Sequence, residues 1–489
     1  MHHCSTGEQR SQWISQLLVP QPPHGLVSKL SRTHQVSRQT LYRWKVKGAQ
    51  ALQAALEITH VPAKRTTMQV QEQVLTLLIE AHASYRSIQT CLRKLCGRQL
   101  SLGNIAAIVQ EAGQRAQRWL SQQQASTPRS LALDEQYSSQ RGKAYLNVVD
   151  VHSGQVWATV PPVAVDGESW TLVWWYLHEQ GLLCERSVSD GGRAIQEALD
   201  QVQRLENHQR DVWHVLHTAS QVQGRCERAW HQLQDRLPII QRQAERVAQG
   251  KKARGRAPVT DIAAHEQRIS QARYVTEALG YLSQELRSLL DVVVLAPHQQ
   301  AGVLSSRERQ EELEALLALL EELQKQAVPI VQKEIQALGK QLRLALPHLL
   351  LFATDLDEPQ QQADERLGPE AVHLLAWAWQ RRASLGPTIK DLVEGLDPAR
   401  REAAQALLHI WERTVRASSV VENWHSIVRP HLAVHRTLSA GMLALLAVWH
   451  NHHVAPRGVH EGLSPLQRTD TSQPATDWLL ALGYSPQAA

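Results

Sequence analysis

The chain has 489 residues, of which 43% are hydrophobic and 20% are charged, an ordinary composition for a soluble globular protein. This length exceeds what one hydrophobic core normally organises, so we expect several domains. The longest apolar runs fall far short of the ~18 residues that cross a bilayer, and the N-terminus lacks an apolar signal core. The five cysteines are scattered without a C-x-x-C pair, which argues against a structural zinc site and favours reduced thiols. We therefore expect an intracellular protein with no membrane span.

The net charge of +5 is unevenly distributed along the chain. Residues 1–130 carry 16 Lys or Arg and 5 Asp or Glu, a net charge of +11, so the remaining residues sum to −6. A basic N-terminal segment followed by a mildly acidic remainder indicates that residues 1–130 include a region that binds a polyanion. Basic residues are also common on ordinary solvated surfaces.

Residues 24–48 have the pattern of two short helices joined by a turn. Leu26 and Leu30 mark the buried face of the first, and Ser37 is placed to cap a second that buries Leu41 and Trp44. This layout predicts a helix-turn-helix; a plain helical hairpin is the alternative. The side chains expected to reach base edges and phosphates are Arg38, Gln39, Tyr42, Arg43 and Lys45.

A second three-helix pattern follows between Val70 and Trp119. Gly97 interrupts it, and Ser101 is placed to cap its third helix. Two such units in tandem would read a longer DNA site than one. The basic residues expected to contact phosphates here are Arg86, Arg93, Lys94 and Arg98.

After Pro128 the pattern changes from helical to extended. Short apolar strands are predicted to end at Asp134 and Asp190, with a helix over 170–180 between them. The full set of predicted strands is 130–133, 143–151, 156–165, 184–189 and 211–216, with a further helix over 193–205. This order predicts a mixed α/β domain.

Residues 219–415 are helical throughout in pattern, and they include one amphipathic leucine stripe for which burial against a partner helix is the default interpretation. The stretch 416–453 then combines helical apolar spacing with many Arg and His residues and one acid, Glu422. Taken alone, Glu422 is as well explained by a surface ion pair.

Three acids, Asp134, Asp190 and Glu422, are the candidate catalytic and metal-binding residues. Carboxylates brought together at strand ends repel one another unless a cation neutralises them, and Glu422 on a packed helix would complete the cluster. Oxygen ligands without paired cysteines match Mg²⁺ or Mn²⁺ and suit two-metal phosphoryl transfer. The alternative is turn-forming aspartates and a surface glutamate, and Asp150 and Asp166 are rival acids in less favourable positions.

Several motifs resemble the DDE transposase/integrase family. They are L-A-L-D-E-Q, S-V-S-D-G-G, and S-S-V-V-E-N-W-H-S-I-V-R-P-H followed by W-H-N-H-H and S-P-L, which together look like bacterial insertion-sequence transposases. The resemblance implies an RNase H-like core interrupted by an all-helical insertion, with Asp134, Asp190 and Glu422 as the three metal-binding acids. It also implies accessory roles for Asp211 and His214 of D-V-W-H, which fits a motif found after the second acid in several branches.

The chain departs from this family at Trp424-His425, where smaller polar residues are expected. Trp424 would stack on a flipped base or belong to the core. Arg416, Arg429 and Arg436 are expected to contact phosphates near the active site, with Arg429 in an accessory active-site position.

The resemblance implies a DNA transposase that binds transposon-end inverted repeats and performs metal-dependent strand cleavage and strand transfer, in DNA integration and recombination. Expected partners are double-stranded DNA at the ends and the target, two Mg²⁺ or Mn²⁺ ions per site, and a second protomer, in a bacterial cytoplasm at the nucleoid. A domesticated inactive DNA-binding protein and a cleavage-only nuclease remain open. The expected domains are helix-turn-helix units at 1–62 and 63–121, a linker at 122–130, core segments at 131–218 and 416–455, an insertion at 219–415 and a tail at 456–489.

Overall fold

The computed structural model describes residues 6–19, 22–56, 68–124, 127, 129–251, 261–296, 302–458, 460–470 and 474–484. The chain divides into two compact units, Met1–Thr67 and Met68–Ala489, called the N-terminal unit and the main unit. The predicted boundary at residues 62–63 lies outside the described residues. Within the described residues, no helix is both long enough and apolar enough to cross a membrane.

The N-terminal unit contains α1 (Gly7–Leu17), α2 (Leu26–His34) and α3 (Arg38–Leu56). The two predicted helices are confirmed: Gln35 turns the chain between them at φ 54°, and the Ser37 hydroxyl accepts a hydrogen bond from the Thr40 amide at 3.1 Å. The first helix precedes the segment predicted as a helix-turn-helix. It supplies Trp13 and Leu17 to a small core shared with α2 and α3.

The main unit contains a mixed five-stranded sheet in the order β3-β2-β1-β4-β5. The strands are β1 (Arg129–Tyr137), β2 (Lys143–Asp150), β3 (Val156–Ala164), β4 (Cys184–Ser189) and β5 (His208–Arg210). β1, β2 and β3 form an antiparallel meander, and β4 and β5 are parallel to β1 and to each other. The predicted mixed α/β layout is therefore confirmed at this level, within a chain that is mostly helical.

Two strand predictions were wrong. β1 continues three residues past Asp134, because residues 134–137 pair with residues 144–147 of β2, so Asp134 lies within the strand. The predicted strand over 211–216 is the start of a long helix, and the fifth strand is the preceding segment His208–Arg210.

Helices cover both faces of the sheet, and a further group of helices follows the last strand in the chain. The helices of the main unit are α4 (Met68–Ile79), α5 (Tyr85–Cys96), α6 (Leu102–Ser121), α7 (Gly167–Glu179), α8 (Arg193–Gln201), α9 (Val212–Ala248), α10 (Ile262–Leu289), α11 (Ser306–Gln326), α12 (Pro329–Leu349), α13 (Leu351–Leu367), α14 (Pro369–Gln380), α15 (Arg382–Glu394), α16 (Pro398–Arg413), α17 (Ser419–Val434), α18 (Ala440–His452), α19 (Pro465–Thr469) and α20 (Trp478–Ala481). One sheet face packs against α7 and α8, and the other against α6, α17 and α18. Helices α9–α16 share a core of their own.

The predicted second helix-turn-helix unit shares a core with the sheet. Its helices α4–α6 are confirmed, with Gly97 in left-handed geometry after α5 and Ser101 capping α6. However, α6 packs directly on α18: a Cβ placed on Gly113 would lie only 2.8 Å from the Gly441 Cα. The expected linker at 122–130 therefore does not separate two hydrophobic cores.

The leucine stripe predicted within the helical region is buried, as expected from its spacing. Its members lie on α11, and each is less than a tenth exposed: Leu313, Leu316, Leu317, Leu320 and Leu323. The helical region thus forms a bundle in which amphipathic helices bury their apolar faces in a shared core.

Candidate active site

Two of the candidate acids lie near one another on neighbouring chain segments of the sheet. Ala132 on β1 pairs with Val188 on the parallel strand β4. Two residues later, Asp134 lies within β1 and Asp190 lies directly after the last residue of β4. Glu422 lies in the first turn of α17, the helix that packs across β1 and β2.

The electrostatics of Asp134 show that these acids act on one another. The pKa of Asp134 is raised to about 7, chiefly by burial and also by the charges of Asp190, Glu422 and Glu135, while the hydrogen bond from the Glu135 amide at 2.7 Å opposes the rise. Burial also raises the pKa of Glu135, opposed by a 2.8 Å hydrogen bond from the Trp170 indole. The carboxylates in this part of the sheet therefore act on one another electrostatically.

A histidine, His425, adjoins two of the acids. Its Nδ1 lies 3.9 Å from Asp134 Oδ2 and 3.9 Å from Glu422 Oε2, and the ring is buried. Burial lowers the pKa of His425 to about 4, against the opposing effect of Glu422. Glu422 is more exposed and also accepts a hydrogen bond from Arg429 Nη2 at 2.8 Å. Arg429 therefore lies beside the acids, and its phosphate contact stays a prediction.

The donor set at this site suits a divalent cation. Asp134, Glu422 and His425 each offer one ligand atom, and those atoms lie within 4.8 Å of one another. Asp190 is not part of that close group, although its charge acts on Asp134. Carboxylate oxygens are hard ligands that suit Mg²⁺ or Mn²⁺, and a cation among them would relieve the repulsion that helps keep the pKa of Asp134 high. The nitrogen of His425 is the one atom in the group that these cations do not favour.

The loop after β4 positions Asp190 through two glycines and an arginine. Asp190 Oδ1 accepts a hydrogen bond from the Gly192 amide at 2.8 Å. Gly191 has φ +72°, which favours glycine, and a Cβ there would lie 0.8 Å from Arg210 Nη1, so a larger residue would displace the Arg210 guanidinium. Burial lowers the pKa of Arg210, and the charges of Asp190 and Asp211 oppose that effect. Arg210 is therefore a cation near Asp190 that the sequence did not reveal.

Asp211 joins the starts of two helices. Its Oδ1 accepts from the His214 amide at 3.1 Å and caps α9, while its Oδ2 accepts from the Ser418 amide at 3.0 Å and the Ser418 hydroxyl at 2.5 Å. Ser418 directly precedes α17, one turn before Glu422. The predicted accessory residue Asp211 thus sets where the helix of Glu422 begins, and His214 contributes its backbone amide to that arrangement.

Trp424 is fully buried, so its ring is not available to stack on a flipped base. Its indole N–H donates to Asn147 Oδ1 at 2.9 Å, and its ring lies 5.7 Å from that of His450. Of the two interpretations of Trp424, the structure supports the one in which Trp424 belongs to the core. Asn147, directly opposite Asp134 on β2, was missed; the signal was an amide side chain in the middle of an otherwise apolar strand.

Arg416, a predicted phosphate contact, makes internal contacts. Its Nη1 donates to the Leu290 carbonyl at 2.6 Å and lies 3.2 Å from Asp291 Oδ1, and its side chain is 29% exposed. These contacts hold the segment before α17 against the end of α10. Arg436 is exposed just after α17, and its phosphate contact stays a prediction.

The helix-turn-helix residues of the N-terminal unit lie mainly on its surface. Arg38, Gln39, Tyr42 and Arg43 are exposed along α3, and Lys45 is half-buried. In the main unit, Arg86 and the Arg93-Lys94 pair on α5 are exposed, whereas Arg98 is half-buried and donates to Gln69 at 3.2 Å. Exposure makes these side chains accessible to a ligand but does not identify it.

No family model matches this chain, and no curated protein matches it. Functional assignment therefore depends on the side-chain arrangement itself. That arrangement consists of the acids on β1, after β4 and on α17, with the buried histidine between two of them.

Proposed function

We propose that this protein is a DNA transposase of the DDE type, which cleaves DNA strands at transposon ends and transfers the freed ends to target DNA. The observation that carries the proposal is the convergence of Asp134 and Glu422, which are far apart in the sequence. Glu422 lies close enough to Asp134 to raise its pKa, and both acids offer an oxygen to the same small space. Glu422 also forms an exposed ion pair with Arg429, and its convergence with Asp134 is what supports a metal site beside that pair.

Asp134, Asp190 and Glu422 would hold two Mg²⁺ or Mn²⁺ ions. When bound, such ions supply the Lewis acidity that phosphoryl transfer requires. The chain's own residues position these acids: Asp134 lies on β1, Asp190 directly follows the neighbouring strand β4, and Asp211 holds the start of the helix that carries Glu422. Arg429, now paired with Glu422, is placed to neutralise a nearby phosphate once that carboxylate is otherwise engaged.

An RNase H-like core is part of the same proposal. The antiparallel meander followed by two parallel strands, with helices on both faces, is compatible with such a core. The long helical region between β5 and α17 occupies the position of the insertion that the resemblance implies. The assignment of this region as the insertion is supported chiefly by the position of Glu422, the third acid, which follows the region directly.

DNA recognition is assigned to the N-terminal unit together with α5. The second helix of the helix-turn-helix presents Arg38, Gln39 and Arg43 to solvent, which are side chains that reach base edges and phosphates. Joining two ends of an element requires two active sites, so the proposal includes at least a dimer on DNA.

The proposal is tested with labelled duplexes taken from the flanks of the open reading frame, incubated with the full-length protein and Mg²⁺ or Mn²⁺. Cleavage and strand transfer are expected for wild type, and loss of both for E422Q. A matched control is E402Q, an exposed acid on α16 outside the site. Full cleavage by E422Q would contradict the assignment. Cleavage without transfer would indicate a nuclease, and binding without cleavage would indicate a DNA-binding protein that has lost its catalytic activity.

A further inference from the structure

A buried chain of hydrogen bonds leads from Trp424 to His425 through Asn147. The Trp424 indole N–H lies 2.9 Å from Asn147 Oδ1, and Asn147 Nδ2 lies 3.1 Å from His425 Nε2. The Thr159 hydroxyl also lies 2.9 Å from Asn147 Oδ1. Trp424, Asn147 and His425 are 0%, 1% and 2% exposed, so water does not compete for these contacts.

The hydrogen-bonding capacities of the Trp424 indole and the Asn147 amide determine which ring nitrogen of His425 carries hydrogen. An indole N–H only donates, so the Asn147 atom that faces Trp424 must be the carbonyl oxygen. The amide nitrogen of Asn147 must then face His425, and it only donates. His425 Nε2 must therefore accept, which places the hydrogen of the neutral ring on Nδ1.

The hydrogen on Nδ1 is directed toward the acids. Nδ1 lies 3.9 Å from Asp134 Oδ2 and 3.9 Å from Glu422 Oε2, too far to hydrogen-bond either one. An oxygen atom entering between the two carboxylates would come within reach of this N–H. A cation would not be bound by it, because a nitrogen that carries hydrogen has no lone pair to offer.

We propose that Asn147 holds His425 as a neutral Nδ1–H donor, which hydrogen-bonds an oxygen of the substrate phosphate and leaves cation binding to the carboxylates. The phosphate as acceptor rests on the proposed function, whereas the orientation of the ring hydrogen does not. The site then has only oxygen ligands, as Mg²⁺ and Mn²⁺ prefer, although a histidine lies beside them. Trp424-His425 is also where the chain departs from the family pattern, so this donor is a feature of this chain.

The tautomer is tested by NMR on the full-length protein labelled with ¹⁵N-histidine, with the His425 signals identified by their loss in H425N. The expected result is a protonated Nδ1 and an unprotonated Nε2. The reverse tautomer in the wild-type protein would overturn the proposal.

The N147D substitution should reverse the tautomer of the His425 ring. A carboxylate facing Nε2 would accept a hydrogen bond from it and move the ring hydrogen to that nitrogen, freeing the Nδ1 lone pair. If N147D folds, its affinity for Zn²⁺ should rise at least tenfold relative to wild type. Unchanged Zn²⁺ affinity in a folded N147D whose tautomer has reversed would contradict the proposal.

Cation binding is tested by titrating Mn²⁺ alone into wild type, H425N and E422Q. Because the histidine is not a ligand, H425N should bind Mn²⁺ within about twofold of wild type, whereas E422Q should lose roughly tenfold or more. An equal loss in both variants would show that His425 is a ligand. Neither this measurement nor the NMR experiment needs DNA or activity.

The phosphate contact is tested by comparing H425A with H425N in strand cleavage. Asparagine places an amide N–H close to the position of Nδ1–H. Removal of a donor to the reacting phosphate should slow cleavage by about 10²-fold in H425A, and H425N should recover at least tenfold of that loss. Equal activity in the two variants would overturn the contact. If the wild-type protein cleaves no DNA, the proposed function and the phosphate contact both fail, while the tautomer and Mn²⁺ results still decide how His425 is held.

Discussion

Replacing Asp134 with asparagine should stabilise the cation-free protein at neutral and alkaline pH. Burial together with the charges of Asp190 and Glu422 raises the pKa of Asp134 to about 7 from 3.8, so its ionised form is unfavourable in the fold. Asparagine removes the charge and keeps an oxygen that accepts the 2.7 Å hydrogen bond from the Glu135 amide. The substitution thus relieves repulsion without leaving a buried amide unpaired.

The magnitude follows from the shift in pKa. A change from 3.8 to about 7 corresponds to ~4 kcal/mol at ~1.4 kcal/mol for each unit, as an upper bound. The Asp134 side chain is 25% exposed, and solvent screening lowers the expected value to roughly 2–4 kcal/mol. Below the unfolded pKa, Asp134 is protonated in both states and contributes nothing. The penalty grows as the pH rises from about 4 to about 7 and is complete above that range.

The assay compares thermal unfolding of D134N and wild type in EDTA at pH 4.5, 6 and 8. The advantage of D134N should be smallest at pH 4.5, at roughly a quarter of its full value, and largest at pH 8. Added Mn²⁺ should stabilise wild type more than D134N. D166N is the matched control, because Asp166 is an exposed helix cap that asparagine replaces well. A D134N advantage that is absent at pH 8, or that does not change with pH, would refute the electrostatic account of this site.

Three further predictions follow from other contacts. G191A should impair cleavage and stability more than G181A, because both glycines have φ +72° but only at Gly191 would a Cβ displace Arg210. Thermal unfolding and cleavage assays measure the two effects, and equal effects in the two variants would contradict the contact. R416M should lower the stability by about 1–3 kcal/mol and leave DNA affinity unchanged in a gel-shift assay, because its partners are internal. Deletion of residues 1–67 should leave the main unit folded by circular dichroism but weaken end binding, and unchanged end binding would remove the N-terminal unit from recognition.

The sequence selected the three acids by local signals, and the structure keeps two of these signals. Asp190 does end its strand, and Glu422 does lie in the first turn of a helix. The extent of β1 was not predictable, since residues past Asp134 are strand only through pairing with β2. Periodicity over a short window also failed at residues 211–216, whose apolar run reads equally well as a strand.

The contacts around His425 were beyond sequence reasoning for a different reason. Asn147 and Trp424 lie far apart in the chain, and no local rule pairs an amide on a strand with an indole on a distant helix. Their adjacency depends on how α17 packs across β2, which is a tertiary outcome. The sequence singled out Trp424-His425 only as unusual beside the family it resembles, and the proposed donor role of His425 depends on these tertiary contacts.

The helical region has a direct part in placing Glu422. Asp211 caps α9 at the entry to this region and holds Ser418 through its other oxygen, while Arg416 binds the last turn of α10 and Asp291 beyond it. In addition, the Val212 amide donates to the Arg416 carbonyl at 2.9 Å. The first turn of α17 is therefore fixed from both sides by residues at the base of the helical region. If Glu422 acts as proposed, a displacement of about 1 Å there would cost ~10²-fold in rate, so substitutions at this junction should slow the proposed reaction.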